Sequence, residues 1–271
     1  MRVATFNIRM FPEPGTDRAR VADTLVELDA DIVAVQEIAS RPALLEVLAE
    51  ASTQSGRDYR VALSRCRHPR AGITTGLVWD ASSWRLLDKR DYPDLGPDEG
   101  GSCGPDQPGL LGVFEGPRDQ RVAVLSVHLT PFPRGYSTRK KQWRKIIALQ
   151  TSLTAELGMP VLVLGDFNST GFTSEPPQEP DFVREQVEDA GFSLLTEDIA
   201  CTEYYRPPGS DVYLPSILDH VVASGGRWQA AEAQGLCERL ACEETEPGEM
   251  DPDFKVVSDH CPVLVEGTPT G

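Results

Sequence analysis

The nine residues PVLVLGDFN, Pro160–Asn168, carry the reading that decides the fold. Val161 to Leu164 form an almost entirely apolar strand that ends abruptly in the polar residues Asp166 and Asn168. Turn chemistry explains one such ending, because Asp and Asn hydrogen-bond their own local backbone. Here the ending recurs along the chain, and the recurrence needs another cause.

Working outward, strands and helices alternate first, and strands then come in groups. RVATFNI (2–8) reads as a strand, Val21, Leu25 and Leu28 follow at helical spacing, and DIVAVQE (31–37) is a second strand. Ser40 and Pro42 mark a helix start, and Leu44, Leu45 and Leu48 give that helix an apolar face. YRVALS (59–64), ITTGLVWD (73–80), WRLLDKRDY (84–92), LLGVFE (110–115) and RVAVLSVHL (121–129) read as strands. A long helix from about Ser137 carries Ile146, Leu149, Leu153 and Leu157 on one face, with Gly158 placed to stop it. SILDHVVAS (216–224) and CPVLVE (261–266) are two late strands. The loops at 92–108, 171–180 and 243–253 read as excursions and not as linkers. The expectation is an α/β (α+β) chain forming one domain over 1–271, with its core at about 1–266.

Polar groups then collect at strand ends. Asn7 ends the first strand and Glu37 the second; His128 lies near the end of RVAVLSVHL, and Asp166 and Asn168 end the quoted stretch. Asp219 and His220 sit in SILDHVV, and Asp259 and His260 immediately precede CPVLVE. Asp219 and His220 face opposite ways, because neighbours on a strand alternate. Gathering the remaining acids, amides and imidazoles in one place costs several kcal/mol unless they are paired or bind metal. Their joint placement therefore predicts a catalytic cleft.

Composition narrows the class. With 26 Lys and Arg against 42 Asp and Glu, the net charge is −16, which argues against a nucleic-acid-coating role. No run approaches the ~18 apolar residues of a membrane span, and the N-terminus lacks the apolar core of a signal peptide. The sequence as written reads as soluble, without integral membrane association and expected to be a monomer. It is read as cytoplasmic, or as secreted if a leader precedes this numbering. Cys66, Cys103, Cys201, Cys237 and Cys242 fall in loops or loop edges and suit disulfides, whereas Cys261 begins a strand and reads as a buried free thiol.

TFNIR (5–9), VQE (35–37), SVHL (126–129), LGDFN (164–168), LDHVV (218–222) and SDHCPV (258–263) occur in an order and spacing that resembles the endonuclease/exonuclease/phosphatase superfamily. The resemblance covers Met1 to about Glu266. It implies a four-layer α/β/β/α sandwich of two mainly antiparallel sheets flanked by helices, and a Mg²⁺-dependent phosphoric-ester hydrolase in which Mn²⁺ can substitute. On this likeness Glu37 is the principal metal ligand, Asn7 stands beside it, and Asp259 is a further metal contact. His260 is the general base, oriented by Asp219; Asp166 and Asn168 position the attacking water and hold the phosphate. His128 is similar to the second imidazole of the deoxyribonuclease and sphingomyelinase branches.

Substrate is less determined. Arg134, Arg139, Lys140, Lys141, Arg144 and Lys145 form a basic run after His128, and Arg139 and Lys140 are expected to bind phosphate. DNA is the first substrate read from the likeness. The alternatives are a small or lipid phosphoester, and a non-catalytic binding member of the family. Two departures from the deoxyribonuclease branch stand out: no glutamate partner for the second histidine within 59–79, and Gln107-Pro108 where that branch has Arg-Pro.

Overall fold

The computed structural model describes residues 1–95, 103, 109–170 and 178–269. One sheet runs in the order β13 (Arg227–Trp228), β15 (Val263–Thr268), β1 (Arg2–Phe11), β2 (Ile32–Ile38), β4 (Thr74–Asp80), β3 (Tyr59–Leu63), with β14 (Glu232–Ala233) also pairing β15. The other runs β5 (Arg85–Tyr92), β6 (Gly109–Glu115), β7 (Arg121–His128), β8 (Val161–Asp166), β12 (Asp219–Ala223), β9 (Ser193–Leu194). A small ribbon pairs β10 (Glu203–Tyr205) with β11 (Leu214–Ser216). Pairing is antiparallel except for β1–β2 and β7–β8. Each parallel pair needs a crossover, supplied by α1 (Arg18–Leu28) in the first sheet and α3 (Tyr136–Leu157) in the second.

The strands alternate, and the alternation makes the layers. Ala4, Phe6 and Ile8 of β1, with Val33 and Val35 of β2, pack on α1 and on α2 (Arg41–Ser55). Val3, Ile32, Ala34, Leu77, Leu162, Leu164, Val221 and Val263 point the other way and fill the space between the two sheets. Leu125, Val127, Val161, Val163 and Val222 turn outward again, under α3 and α4 (Gln178–Asp189). The result is helix, sheet, sheet, helix, as the sequence predicts.

Local signals set the helix ends. Asp17 caps α1 by accepting the Arg20 N–H at 3.1 Å, and Ser40 caps α2 just ahead of Pro42. Gly158 closes α3 at φ 61°, a left-handed conformation that disfavours a side chain. The sequence reading leaves 171–180 as an excursion, whereas α4 begins at Gln178; its apolar face rests on little more than Val183 and Val187.

Three disulfides join Cys66–Cys103, Cys201–Cys242 and Cys237–Cys261. Cys261 is therefore not a free thiol. Its neighbourhood is as buried as expected, yet Cys237 reaches it from a helical turn that sequence distance does not reveal. Among the described residues no helix is long and apolar enough to cross a membrane.

Candidate active site

The two sheets open at one end onto a cleft of about 670 Å³. Glu37, His128, Asp166, Asn168, Asp259 and His260 line it; Asn7 and Asp219, both fully buried, lie beneath. Three of the six, Glu37, His128 and Asp166, lie at strand ends. Across the second sheet His128, Asp166 and Asp219 occupy one row, since His128 pairs with Asp166 and Asp166 with Asp219. In the first sheet Asn7 stands two residues beyond Thr5 and four beyond Val3, so the face that fills the core lower down presents an amide at the cleft.

Backbone irregularities aim the remaining groups. The β1–β2 register shifts between Asn7 and Phe11, and the β2–β4 register between Val35 and Ile38. Glu37 sits in that irregular stretch at φ 62°, Met10 at φ 49°, and the Met10 N–H donates to Glu37 Oε2 at 2.7 Å. Asn168, at φ 51°, donates its own N–H to Asp166 Oδ1 at 2.8 Å and its side-chain amide to the Leu129 carbonyl at 3.1 Å. Left-handed backbone at non-glycine residues is costly and persists where the surroundings over-determine it. Gly165 has a different reason: a Cβ there would lie 1.9 Å from the Val127 carbonyl oxygen, so only glycine lets β7 and β8 come this close beside His128 and Asp166.

The contacts join the two sheets. The Asn7 side-chain N–H donates to Asp166 Oδ2 at 2.9 Å. His128 Nε2 is 3.3 Å from Asp166 Oδ2 and 3.8 Å from Glu37 Oε1. His260 Nδ1 is 2.9 Å from Asp219 Oδ2, and its Nε2 is 3.8 Å from Asp166 Oδ2. Ser258 fixes the approach of His260: its hydroxyl donates to the Asn7 carbonyl at 2.7 Å and accepts the His260 N–H at 3.1 Å. Just beneath runs a buried polar seam. Thr5 donates to Gln36 Oε1 at 3.1 Å, Gln36 Nε2 donates to Ser126 Oγ at 3.2 Å, and Ser126 hydrogen-bonds Thr75.

Burial makes these groups electrostatically active. It opposes the imidazolium of His260, but the carboxylates of Asp219, Asp166 and Asp259 more than offset that and raise its pKa well above the ordinary value. Burial also raises Asp219, while His260 draws it down. Glu203 escaped the sequence reading: a lone acid in a three-residue strand has no pattern around it. It lines the same cleft, accepts a hydrogen bond from Ser216, and its backbone pairs antiparallel with that of His260. Burial pushes its carboxyl up to about 8, so it keeps its proton at neutral pH. Thr202 was also missed; its hydroxyl receives the Leu218 and Asp219 N–H groups at 2.9 and 3.0 Å. Backbone contacts of this kind leave no mark in sequence.

Two expected phosphate contacts lie elsewhere. Arg139 is wholly buried and does not line the cleft. Its guanidinium grips Glu179 at 2.6 and 2.7 Å and also donates to the carbonyls of Thr130 and Phe132. The correction has a simple cause: Arg139 stands on the face of α3 that carries Trp143, Ile146 and Gln150 into the core. Lys140 is half-buried, with Nζ 5.0 Å from the centre of the Tyr136 ring, and is likewise absent from the cleft wall. His220 turns outward as predicted, hydrogen-bonded to Thr196 at 2.9 Å and packed edge-on to Phe167 and Trp143. No glutamate from 59–79 reaches His128, whose Nδ1 has no hydrogen-bond partner among the described residues. Gln107-Pro108 lies outside the described residues.

Carboxylate and amide oxygens suit a hard divalent cation. Glu37, His128 and Asp166 each place a donor atom within 4.8 Å of the others, and Glu37 Oε1 faces this gap while Oε2 is held by Met10. The residues present therefore fit such an ion.

Residues 4–260 match the Endonuclease/Exonuclease/phosphatase family. No curated protein sequence matches the chain. Solved structures share the fold at low identity. An endonuclease/exonuclease/phosphatase from Bacteroides vulgatus is 16% identical with a TM-score of 0.65, covering 98% of each chain. A mannosyl-6-phosphatase from Bacteroides thetaiotaomicron is 18% identical at TM-score 0.59, again over 98% of each. TDP2 of D. rerio, complexed with a single-strand DNA product, is 15% identical at 0.62, with 98% of each chain covered.

Proposed function

The chain belongs to the endonuclease/exonuclease/phosphatase family, a family of phosphoesterases, and from that premise we propose that it hydrolyses a phosphoric ester at this cleft with the help of a divalent cation, Mg²⁺ first and Mn²⁺ in its place. The observation that carries the reading is the imidazole of His260. Its Nδ1 is 2.9 Å from Asp219, and its Nε2 lies on the side of Asp166, 3.8 Å away, facing the Glu37–His128–Asp166 cluster.

Each residue then has a task. Asp219 takes the Nδ1–H, fixes the tautomer and stabilises the imidazolium that forms when Nε2 removes a proton from water. Asp166, itself held by Asn7 and by the Asn168 N–H, is placed to orient that water. The His128 Nε2 edge meets the phosphoryl oxygens. Glu37 and Asp166 would hold the cation, with Asn7 and Asp259 as further contacts. A bound Mg²⁺ supplies positive charge against the phosphoryl oxygens.

DNA is the first substrate to assay, on the motif resemblance and on the DNA product held by the TDP2 structure. A small phosphoester is the second, since another structural relative is a mannosyl-6-phosphatase. Supercoiled plasmid and a panel of small phosphoesters, each with Mg²⁺ or with EDTA, test the reading directly. Turnover should vanish in EDTA, and His260→Ala should lose roughly 10²–10⁴ in rate. Wild-type turnover in that variant would remove His260 from the mechanism.

A further inference from the structure

The walls of the cleft differ in chemistry from its floor. Above the carboxylates and imidazoles, the first sheet contributes Ala71 and Ile73 from the segment leading into β4, and the second contributes Pro131 and Phe132 from the segment after β7. Four large hydrophobic side chains are exposed among the described residues, and two of them, Met10 at 37% and Phe132 at 59%, stand at this cleft. Both are held out on left-handed backbone, at φ 49° and φ 69°. Phe132 lies between Pro131 and Pro133, and the Arg134 guanidinium sits 5.3 Å from its ring centre. An exposed ring kept on strained backbone between two prolines is positioned, not left over.

No lysine or arginine lines the cleft among the described residues. None can be added by the remaining segments, because 96–102, 104–108, 171–177 and 270–271 contain neither residue. Three nearby guanidiniums are committed elsewhere, and that of Arg134 lies against the Phe132 ring. Arg9 serves Glu13 and the carbonyls of Phe254 and Lys255; Arg67 serves the carbonyls of Ile38, Ala39 and Gly72; Arg139 serves Glu179. A polynucleotide presents a row of phosphates that such a wall leaves unmatched. One phosphate at the floor and an uncharged apolar remainder match it well, and about 670 Å³ is the size of a small-molecule site.

We propose that the cleft selects a small soluble phosphoric ester whose alcohol carries a neutral aromatic ring, with Phe132 and Met10 as the residues that bind the ring. The inference rests on the phosphoesterase reading above and narrows it. Phe132 offers its ring to stacking or edge contact, and Met10 offers a thioether, which favours aromatic neighbours. Because the Met10 N–H also holds Glu37, ring contact and phosphate position are set by one piece of backbone.

The test compares benzyl phosphate and dibenzyl phosphate with glucose 6-phosphate, supercoiled plasmid and sphingomyelin vesicles, using the full chain with Mg²⁺ or Mn²⁺. Benzyl and glucose esters both release primary alcohols, so leaving-group chemistry is nearly matched. A benzyl ester should be the best substrate by kcat/KM. Phe132→Ala and, separately, Met10→Ala should lower its advantage over glucose 6-phosphate by about tenfold, through KM, as expected for one lost aromatic contact. Phe132→Leu should recover only part of it. Preference for plasmid, for the sugar phosphate or for vesicles overturns the proposal, as does an unchanged ratio in both alanine variants. If His260→Ala abolishes turnover of one of those other substrates, the phosphoesterase reading stands and the aromatic specificity alone fails. If no substrate is turned over, both fail together.

Discussion

As the proposed base, His260 has to lose a proton before it can take one. Burial works against its charged form, but Asp219, Asp166 and Asp259 hold the proton on, so its pKa lies above the ordinary imidazole value of about 6.5. Activity should therefore rise with pH through a limb displaced to the alkaline side of a free histidine. Replacing Asp219 with Asn removes one of the carboxylates responsible. The limb should move to lower pH even as kcat falls by roughly 10²–10⁴, because the amide also loosens the imidazole. A pH profile of kcat/KM for both proteins decides this, and a limb that stays in place would count against the assignment. Asn7, Glu37, His128, Asp166, Asn168, Asp219, Asp259 and His260 could all be picked from sequence, because a polar group closing an apolar strand has little local reason to be there. Glu203 and Thr202 could not. Their partners are Ser216 and the backbone of Leu218 and Asp219, more than ten residues away along a loop with no apolar rhythm.

Strand β12 shows how one element serves two environments. Asp219 faces the cleft, and His220, one residue on, is driven into the layer beneath α3, where burial pushes its pKa down to about 3. Keeping that ring neutral costs nothing above pH ~6.5, the unfolded value, and becomes a burden below it. Folding free energy should drop by ~2 kcal/mol between pH 7 and pH 5 from this group alone. Urea unfolding at the two pH values should show the drop in the wild type and a smaller one in His220→Gln. Helix α3 makes a second point. Its basic run looks like a phosphate-binding face, yet Arg139 precedes Trp143 by four residues and Ile146 by seven, the spacing of the buried side. Removing one partner of a buried ion pair is expensive, so Arg139→Met should lose ~3–5 kcal/mol of stability, read from the urea midpoint. Helix α4 was hidden for the opposite reason: its apolar stripe is too thin to stand out from an acidic segment.

Over the whole molecule, the layer order was legible from the family resemblance, and strand–helix–strand occurring twice agrees with it. The disulfide pairing was not, since six cysteines allow 15 full pairings and only the fold brings partners together. Cys237–Cys261 closes 24 residues of chain and anchors the position right after His260. Loop-closure entropy gives such a link ~3–4 kcal/mol. The double replacement of Cys237 and Cys261 by Ser should lower the melting temperature accordingly and also reduce kcat, whereas loss of Cys66–Cys103 should not reach His260. Thermal scans and turnover of the two double variants separate these outcomes.

The hydrogen bond from His260 to Asp219 crosses from one leaf of the sandwich to the other, as does the one from Asn7 to Asp166. His260 leads into β15 of the first leaf and Asp219 begins β12 of the second. Neither leaf owns the proposed base together with the acid proposed to orient it. On the proposed mechanism, a newly made chain with both leaves formed but not yet closed on each other would be chemically silent, and the closing of the book is what would switch it on.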